Sequence, residues 1–300
     1  MLVIINPTAR LVGRSVRIGD VMEHLLRLGA QPQAALTKGK GEARALAQQA
    51  IKDGRRRIIV AGGDGTVNEV VQAIANTDLE LAVIPLGTGN ILGRFLGLRP
   101  GEVFDACELA VKGEAHPVDL GVMNGHYFVG MAGVGLDAEI VHKLSRPWKE
   151  AVGWLAFAGQ AIQAILTEDE SPMTVTFGKR TFSGPMWGIF ICNLPEYSYR
   201  LELSKNAMPD DGLLDFVVLH PRSQIELLEF GLDTFVWREA ADMHPAATVL
   251  QAQNVSINAE IPVRWQTDGD VMGETPVDCR VEPLALRVVR RLPEDNDDVS

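Results

Sequence analysis

The sequence predicts an α/β protein in two parts. Residues 1–116 read as a parallel-sheet domain, and residues 117–290 as a mostly antiparallel, β-rich domain with a few helices. Three observations carry this prediction. Strand and helix signals alternate over the first 115 or so residues, the pattern of a parallel sheet covered on both faces. Near His116 that alternation gives way to strand after strand, beginning with Asn124-Gly125, the strongest short hairpin signal. The charge divides at the same place: residues 1–118 carry 14 Lys and Arg against 12 Asp and Glu, and residues 119–300 carry 14 against 27.

In order, "LVII" is a short apolar strand, and residues 16–28 place Val16, Val21, Met22, Leu25, Leu26 and Leu28 at helical spacing. "QAAL" (33–36) is a weak strand, and residues 42–52 form a helix. "RIIVA" (57–61) is a buried strand followed by a helix from about Thr66 to Ala75. "LAVI" (81–84) leads to a helix from about Asn90, and residues 102–112 form another. Beyond the hairpin, strands are expected at 173–177, 187–192, 213–219, 247–257, 262–267 and 284–289. Helices are expected at about 136–144, 149–166 and 223–237, and the tail "PEDNDDVS" reads as disordered over 291–300.

Composition narrows the function. A net charge of −11 argues against nucleic acid, whose phosphates demand basic surface. Three scattered cysteines without CxxC spacing suggest neither a disulfide framework nor a zinc cluster, and fit a reducing cytoplasm. No run of ~18 uncharged apolar residues spans a membrane, and "MLVIINPTAR" has no signal-peptide pattern.

The chemistry gathers in loops that follow strands. "AGGDGTVNEV" (61–70) lies between a parallel strand and a helix, at the carboxyl edge where open α/β sheets bind ligands. Gly62, Gly63 and Gly65 let the backbone approach a ligand, and free N–H groups near Thr66 attract phosphate. There is no GxxxxGK[ST] motif. "PLGTGN" (85–90) and "NPTAR" (6–10) follow two further strands on the same edge. Asp64 reads either as a helix cap for its own backbone or as a carboxylate that reaches phosphate through Mg²⁺. Asp268 and Asp270 bracket Gly269 at a strand end: one can take a hydroxyl proton while the other is tied down, or the trio is a turn.

"GGDGTVNEV", with "NPTAR" before it and "PLGTGN" after it, resembles the diacylglycerol kinase family, which includes bacterial lipid kinases and the sphingosine and ceramide kinases. "VDLGVMNGHYFVGMAGVGLDAEI" (118–140), "MPDDGLLDFVVL" (208–219) and "TDGD" (267–270) extend the resemblance along nearly the whole chain. GGDGT also occurs in NAD kinases; the two flanking loops favour the lipid-kinase branch. The resemblance implies an NAD-kinase-like α/β domain, a β-rich second domain, and ATP in the cleft between them. By this resemblance Asn6, Pro7, Thr8, Ala9, Arg10, Thr37, Gly63, Asp64, Gly65, Thr66, Val67, Asn68, Glu69 and Thr88 contact ATP. It implies that Asp211 binds Mg²⁺, aided by the main-chain carbonyls of Met208 and Leu213, and that Asp268 or Asp270 is the catalytic base. The family pattern is DGE; Asp270 shortens that arm by about one carbon–carbon bond. Residues 193–207 also lack the glycine run the family shows before the metal loop.

The implied reaction is γ-phosphoryl transfer from ATP to a lipid hydroxyl, best matched by diacylglycerol giving phosphatidic acid. Sphingoid bases, phosphatidylglycerol and a non-lipid polyol stay open as acceptors, and a homodimer stays open as the assembly. The expected location is cytoplasmic, with transient visits to the membrane surface. The alternatives are an NAD-kinase-like enzyme and a non-catalytic nucleotide sensor. "GVGLDA" (133–138) matches GxGxxG/A, but its strand belongs to a hairpin rather than to a βαβ unit. HExxH and GxSxG are absent. The apolar helix 148–166, with Trp148 and Trp154, suits either a membrane interface or packing within the domain. Arg55, Arg56 and Arg57 suit either anionic lipid or a solvated lead-in to a strand.

Overall fold

The apolar runs "LVII", "RIIVAG" and "ELAVIP" are buried along almost their whole length, as strands covered on both faces must be. In the computed structural model, which describes residues 1–11, 16–99, 101–143, 154–195, 203–234 and 241–291, the chain splits into two compact units. The first holds Met1–Val118 and the stretch from Leu284 onward, and the second holds Asp119–Pro283.

In the first unit Leu2–Ile5 (β1), Gln33–Leu36 (β2), Arg57–Gly62 (β3) and Glu80–Pro85 (β4) pair in parallel, in the order β2-β1-β3-β4. Helices Ile18–Arg27 (α1), Glu42–Lys52 (α2), Asp64–Ile74 (α3), Ile91–Phe95 (α4) and Val103–Lys112 (α5) connect and cover them. Helix α3 starts two residues earlier than expected, so Asp64 is its first residue and extended Gly63 its cap.

Arg57 is neither a lipid ligand nor a solvated lead-in. Its Nε donates to buried Glu80 at 2.7 Å, and Nη1 and Nη2 donate to the carbonyls of Ala110 and Gly113 at 2.9 and 3.0 Å. One guanidinium thus neutralises a buried carboxylate and satisfies the orphan carbonyls at the end of α5. Burial alone raises the Glu80 pKa, but the hydrogen bond and charge of Arg57 outweigh it and leave the group below its usual value. Arg57→Ala is expected to cost about 3 kcal/mol of unfolding free energy at pH 7, because it strands a buried charge. A depressed carboxylate stabilises above its unfolded pKa of roughly 4.3 and stops doing so as pH falls through the lower folded value. The gap between wild type and variant should therefore narrow below about pH 4, as urea curves at two pH values would show.

The second unit begins within Ala115–Met123 (β5), which turns through Asn124 and Gly125, both at positive φ, into His126–Phe128 (β6). The expected second arm of that hairpin breaks after Phe128, and Met131–Gly135 (β7) joins a different sheet. Next come Leu136–Lys143 (α6), Trp154–Thr167 (α7), Ser171–Phe177 (β8), Arg180–Met186 (β9), Gly188–Cys192 (β10), Leu214–Leu219 (β11) and Gln224–Leu232 (α8). Ala247–Ala252 (β12), Asn254–Ala259 (β13), Arg264–Thr267 (β14), Asp270–Glu274 (β15) and Val277–Val289 (β16) complete the chain. One antiparallel sheet runs β12-β11-β10-β7-β14-β15. Strands β9, β8, β13 and the first part of β16 form a second antiparallel set. Phe216, Ile189, Val134 and Trp265 from the first pack with Val175, Ile257, Val277 and Cys279 from the second, which makes a sandwich core. Helices α6, α7 and α8 cover the other face of the first sheet through Ile140, Ile165, Leu227 and Phe230.

Two expectations are corrected. The run 247–257 is two strands in different sheets, β12 and β13. Residues 284–289, expected in the second domain, finish β16 inside the first unit, where Arg287 and Val288 pair in parallel with Glu80 and Leu81 of β4. Buried Ala285, Leu286, Val288 and Val289 cover what would otherwise be an open edge. The tail 292–300, Trp148 and the side chain of Trp154 lie outside the described residues. In the described part of α7, Ala164 and Ile165 are buried and Ile162 and Leu166 exposed. No helix among the described residues is long and apolar enough to cross a membrane. Cys107, Cys192 and Cys279 are buried and unpaired, and burial pushes the Cys107 thiol up to about 12.

Candidate functional site

The order β2-β1-β3-β4 creates a switch point between β1 and β3, because the chain leaves β1 to one side and returns to the other. The expected nucleotide residues stand at that carboxyl edge. Asn6 continues β1, its N–H donating to Ala61 O of β3 at 3.0 Å, and its Nδ2 donates to Thr66 Oγ1 at 3.1 Å. Its Oδ1 accepts from the N–H and the hydroxyl of Thr8, so "NPTAR" folds into a tight turn closed by Ala9 N–H on Asn6 O. Thr37 ends β2 with its N–H on Ile5 O at 2.9 Å. Glu69 faces the preceding helix instead of the switch point: it accepts from Gly41 N and Ala43 N at 2.8 and 3.2 Å, satisfying the start of α2.

The glycines of the two other loops exist for contact with each other. A Cβ on Gly87 would lie 2.5 Å from the Cα of Gly63 and 2.9 Å from Asn90 Oδ1. Asn90, at φ 51, clasps the same loop through both side-chain atoms, Oδ1 on Gly87 N and Nδ2 on Gly87 O, each at 2.9 Å. Asp64 is the rivet: its two oxygens accept from Asn90 N and Ile91 N, each at 2.7 Å. The carboxylate does cap a helix, yet that helix is α4, not its own α3. Thr66 and Val67 are buried supports, and Asn68 Oδ1 accepts from Gln72 Nε2 at 3.1 Å. Gly65 opens α3 with space around its Cα. Thr88 and Arg10 line a cavity of about 400 Å³ with Leu11, Val16, Val103 and Phe104.

In the second unit the residues expected to hold a metal ion fold around a buried carboxylate that the sequence reading missed. Asp119, fully buried in β5, accepts from Gly212 N at 2.7 Å, while its own N–H donates to Pro209 O at 2.6 Å. Asp211 forms an Asx turn, Oδ1 accepting from Leu213 N at 2.9 Å. Asn193 holds the far side, donating Nδ2 to the carbonyls of Asp119 and Val129, and its buried Oδ1 has no hydrogen-bond partner among the described residues. An exposed carboxylate with the carbonyls of Met208 and Leu213 is an all-oxygen set, the kind a hard divalent cation takes. Among the described residues no three His, Cys, Asp or Glu side chains cluster, so an ion here would draw on carbonyls and water. The signal for Asp119 was readable: an aspartate inside the apolar strand "PVDLGVM".

The two carboxylates of "TDGD" have different surroundings. Asp268 and Gly269, at φ 45 and 86, are the central pair of a two-residue turn joining β14 to β15. The Asp268 carboxylate accepts from three backbone N–H groups, Val129 at 2.8 Å, Gly130 at 2.9 Å and Met131 at 3.1 Å. That clasp is what splits the expected hairpin arm between β6 and β7. Asp270 opens β15 opposite Thr267 and is exposed, and its carboxylate has no hydrogen-bond or ion-pair partner among the described residues.

Compared with known proteins, residues 1–123 match the family model described as the diacylglycerol kinase catalytic domain. Residues 130–290 match the YegS C-terminal NAD kinase beta sandwich-like domain. A diacylglycerol kinase of Bacillus subtilis (strain 168) is 27% identical over 280 residues, covering 91% of this chain and 90% of that protein. One of Staphylococcus carnosus (strain TM300) is 28% identical over 278 residues, with 91% and 89% covered. A crystal structure described as a diacylglycerol kinase from Bacillus anthracis str. Sterne shares the fold, with a TM-score of 0.75 at 21% identity over 98% of this chain and 97% of that one. Another solved chain from that organism reaches a TM-score of 0.82 at 24% identity, covering 98% and 95%. With a catalytic domain and a sandwich domain matched in order along nearly all its length, the chain belongs to the diacylglycerol kinase family and is a lipid kinase, a phosphotransferase.

Proposed function

We propose that the protein transfers the γ-phosphoryl group of ATP to the hydroxyl of diacylglycerol, giving phosphatidic acid, in the cytoplasm and during transient visits to a membrane surface. The observation that carries the nucleotide half is the glycine-on-glycine contact of Gly63 and Gly87, riveted by Asp64 beside the β1/β3 switch point. Loops this close leave main-chain N–H groups, not side chains, to meet the phosphates. Relatives named diacylglycerol kinase support the acceptor.

In this reading the turn Asn6, Pro7, Thr8, Ala9 and Arg10, with Thr37, the loop Gly63 to Gly65 and Thr88, holds ATP, and Thr66, Val67, Asn68 and Glu69 brace that loop. Arg10 supplies positive charge and Thr88 a hydroxyl. Met208, Asp211 and Leu213 would hold Mg²⁺, which would neutralise phosphate charge. Asp270 is the general base: its carboxylate takes the hydroxyl proton as the lipid oxygen bonds to the γ-phosphorus, and the β–γ bridging oxygen leaves with ADP. Asp268 does not compete for the role, because its lone pairs already serve three amides.

Labelled ATP should be offered to the purified protein with mixed micelles of diacylglycerol, a sphingoid base or phosphatidylglycerol, and separately with NAD. Label in phosphatidic acid and none in NADP is the expected result. Label in NADP alone, or ATP bound without turnover on any acceptor, would overturn the proposal.

A further inference from the structure

Behind the turn that carries Asp270 lies a buried polar pair that none of the chemistry above uses. Asp137, in the first turn of α6, and Gln266, in β14, are each 1% exposed. Gln266 Nε2 donates to Asp137 Oδ2 at 2.6 Å, and Gln266 Oε1 accepts from Gly269 N at 2.7 Å. One amide is thus held at both ends, and its second end grips the residue immediately before Asp270. Its orientation is fixed, because the flipped amide would set a carbonyl against a carboxylate and an NH₂ against an N–H.

The sequence around this pair is built to accommodate it. Gln266 pairs across the sheet with Gly133, and a Cβ on Gly133 would lie 1.8 Å from Asp137 Oδ2. The first glycine of "GVGLDA" therefore makes room for a carboxylate rather than for a dinucleotide. A second tie runs parallel: Arg264 Nη1 donates to Glu139 Oε1 at 2.5 Å, joining α6 to the same strand. Burying a carboxylate behind a turn is expensive, and a two-residue Asp-Gly turn closes without such help.

We infer that Asp137 and Gln266 are positioning residues for the transfer: through Gly269 they fix the turn from which the Asp270 carboxylate projects. The inference rests on Asp270 being the base. A base swinging on a free hairpin tip would sample many directions, and catalysis needs one.

Gln266→Met keeps the bulk and removes both bonds. It is expected to lower kcat by about tenfold or more while KM for ATP stays within about twofold. Gln266→Glu sets two carboxylates face to face and should do at least as much harm. Adding Asp137→Asn to it restores the chain with polarity reversed: Asn Nδ2 donates to the new carboxylate, whose other oxygen accepts from Gly269 N. That double variant should recover kcat to within about threefold of wild type.

A merely structural role is separated by a cycle with Asp270→Ala. Positioning predicts that Gln266→Met costs nothing further once Asp270 is gone, although it lowers the melting temperature equally in both backgrounds. An Asp270→Ala enzyme with full activity would defeat the assignment of the base. An inactive Asp270→Ala beside a fully active Gln266→Met would defeat the positioning inference alone. If Gln266→Met does not fold, the double variant decides: folded yet unrecovered, it overturns the inference.

Discussion

Asp270→Asn is expected to lower kcat by about 10²–10⁴-fold and to leave ATP affinity nearly unchanged. The asparagine has the same shape but cannot accept a proton, and Asp270 has no partner among the described residues whose loss would disturb the fold. Asp270→Glu, the residue in the family pattern, restores a base on a longer arm and keeps activity within about tenfold of wild type. Asp268→Asn behaves differently. It replaces one acceptor oxygen with a donor facing Val129, Gly130 or Met131, so its damage shows in the melting curve first. Single-turnover rates and thermal melts on the three variants separate these outcomes. Equal loss of rate with equal stability for Asp268→Asn and Asp270→Asn would contradict the division of roles.

Gly87→Ala is expected to cost about 100-fold in kcat/KM for ATP. The added methyl would lie 2.5 Å from the Cα of Gly63 and 2.9 Å from Asn90 Oδ1. The first neighbour is main chain and cannot rotate away, so the two loops must part. Their separation stretches the bonds from Asn90 N and Ile91 N to Asp64, and the phosphate-facing amides move with them. Gly231→Ala in α8 is the control: an added Cβ there meets nothing within 4 Å, and it should bind ATP as wild type does. Steady-state rates at varied ATP measure the first effect, and isothermal titration with a non-hydrolysable ATP analogue compares binding in both variants.

Much of the first unit could be read from its residues because strands buried on both faces are nearly unbroken apolar runs, as in β3 and β4. Glycine and asparagine punctuate the ends of those strands and so mark the loops. Strands β9 and β15 escaped notice: "RTFSGPM" carries a glycine and a proline and is mostly exposed, and "DVMGE" alternates exposed with half-buried residues at a sheet edge. The opening of β16, before the expected 284–289, was missed as well, although it alternates, with Val277, Cys279 and Val281 inside and Asp278 and Arg280 outside. Its destination was not legible, because pairing with β4 joins residues some two hundred positions apart. The same distance hides the polar partners. A lone aspartate in "PVDLGVM" or "GVGLDA" announces that something holds it, but Gly212 and Gln266 can be named only once the chain is folded.

The return of β16 to the first unit orders events during manufacture. A ribosome releases residues 1–118 long before it reaches Leu284, and until then the outer rim of β4 lacks its final neighbour. Until then that rim is an unpaired strand edge, and a fragment cut at Val118 should precipitate when expressed alone.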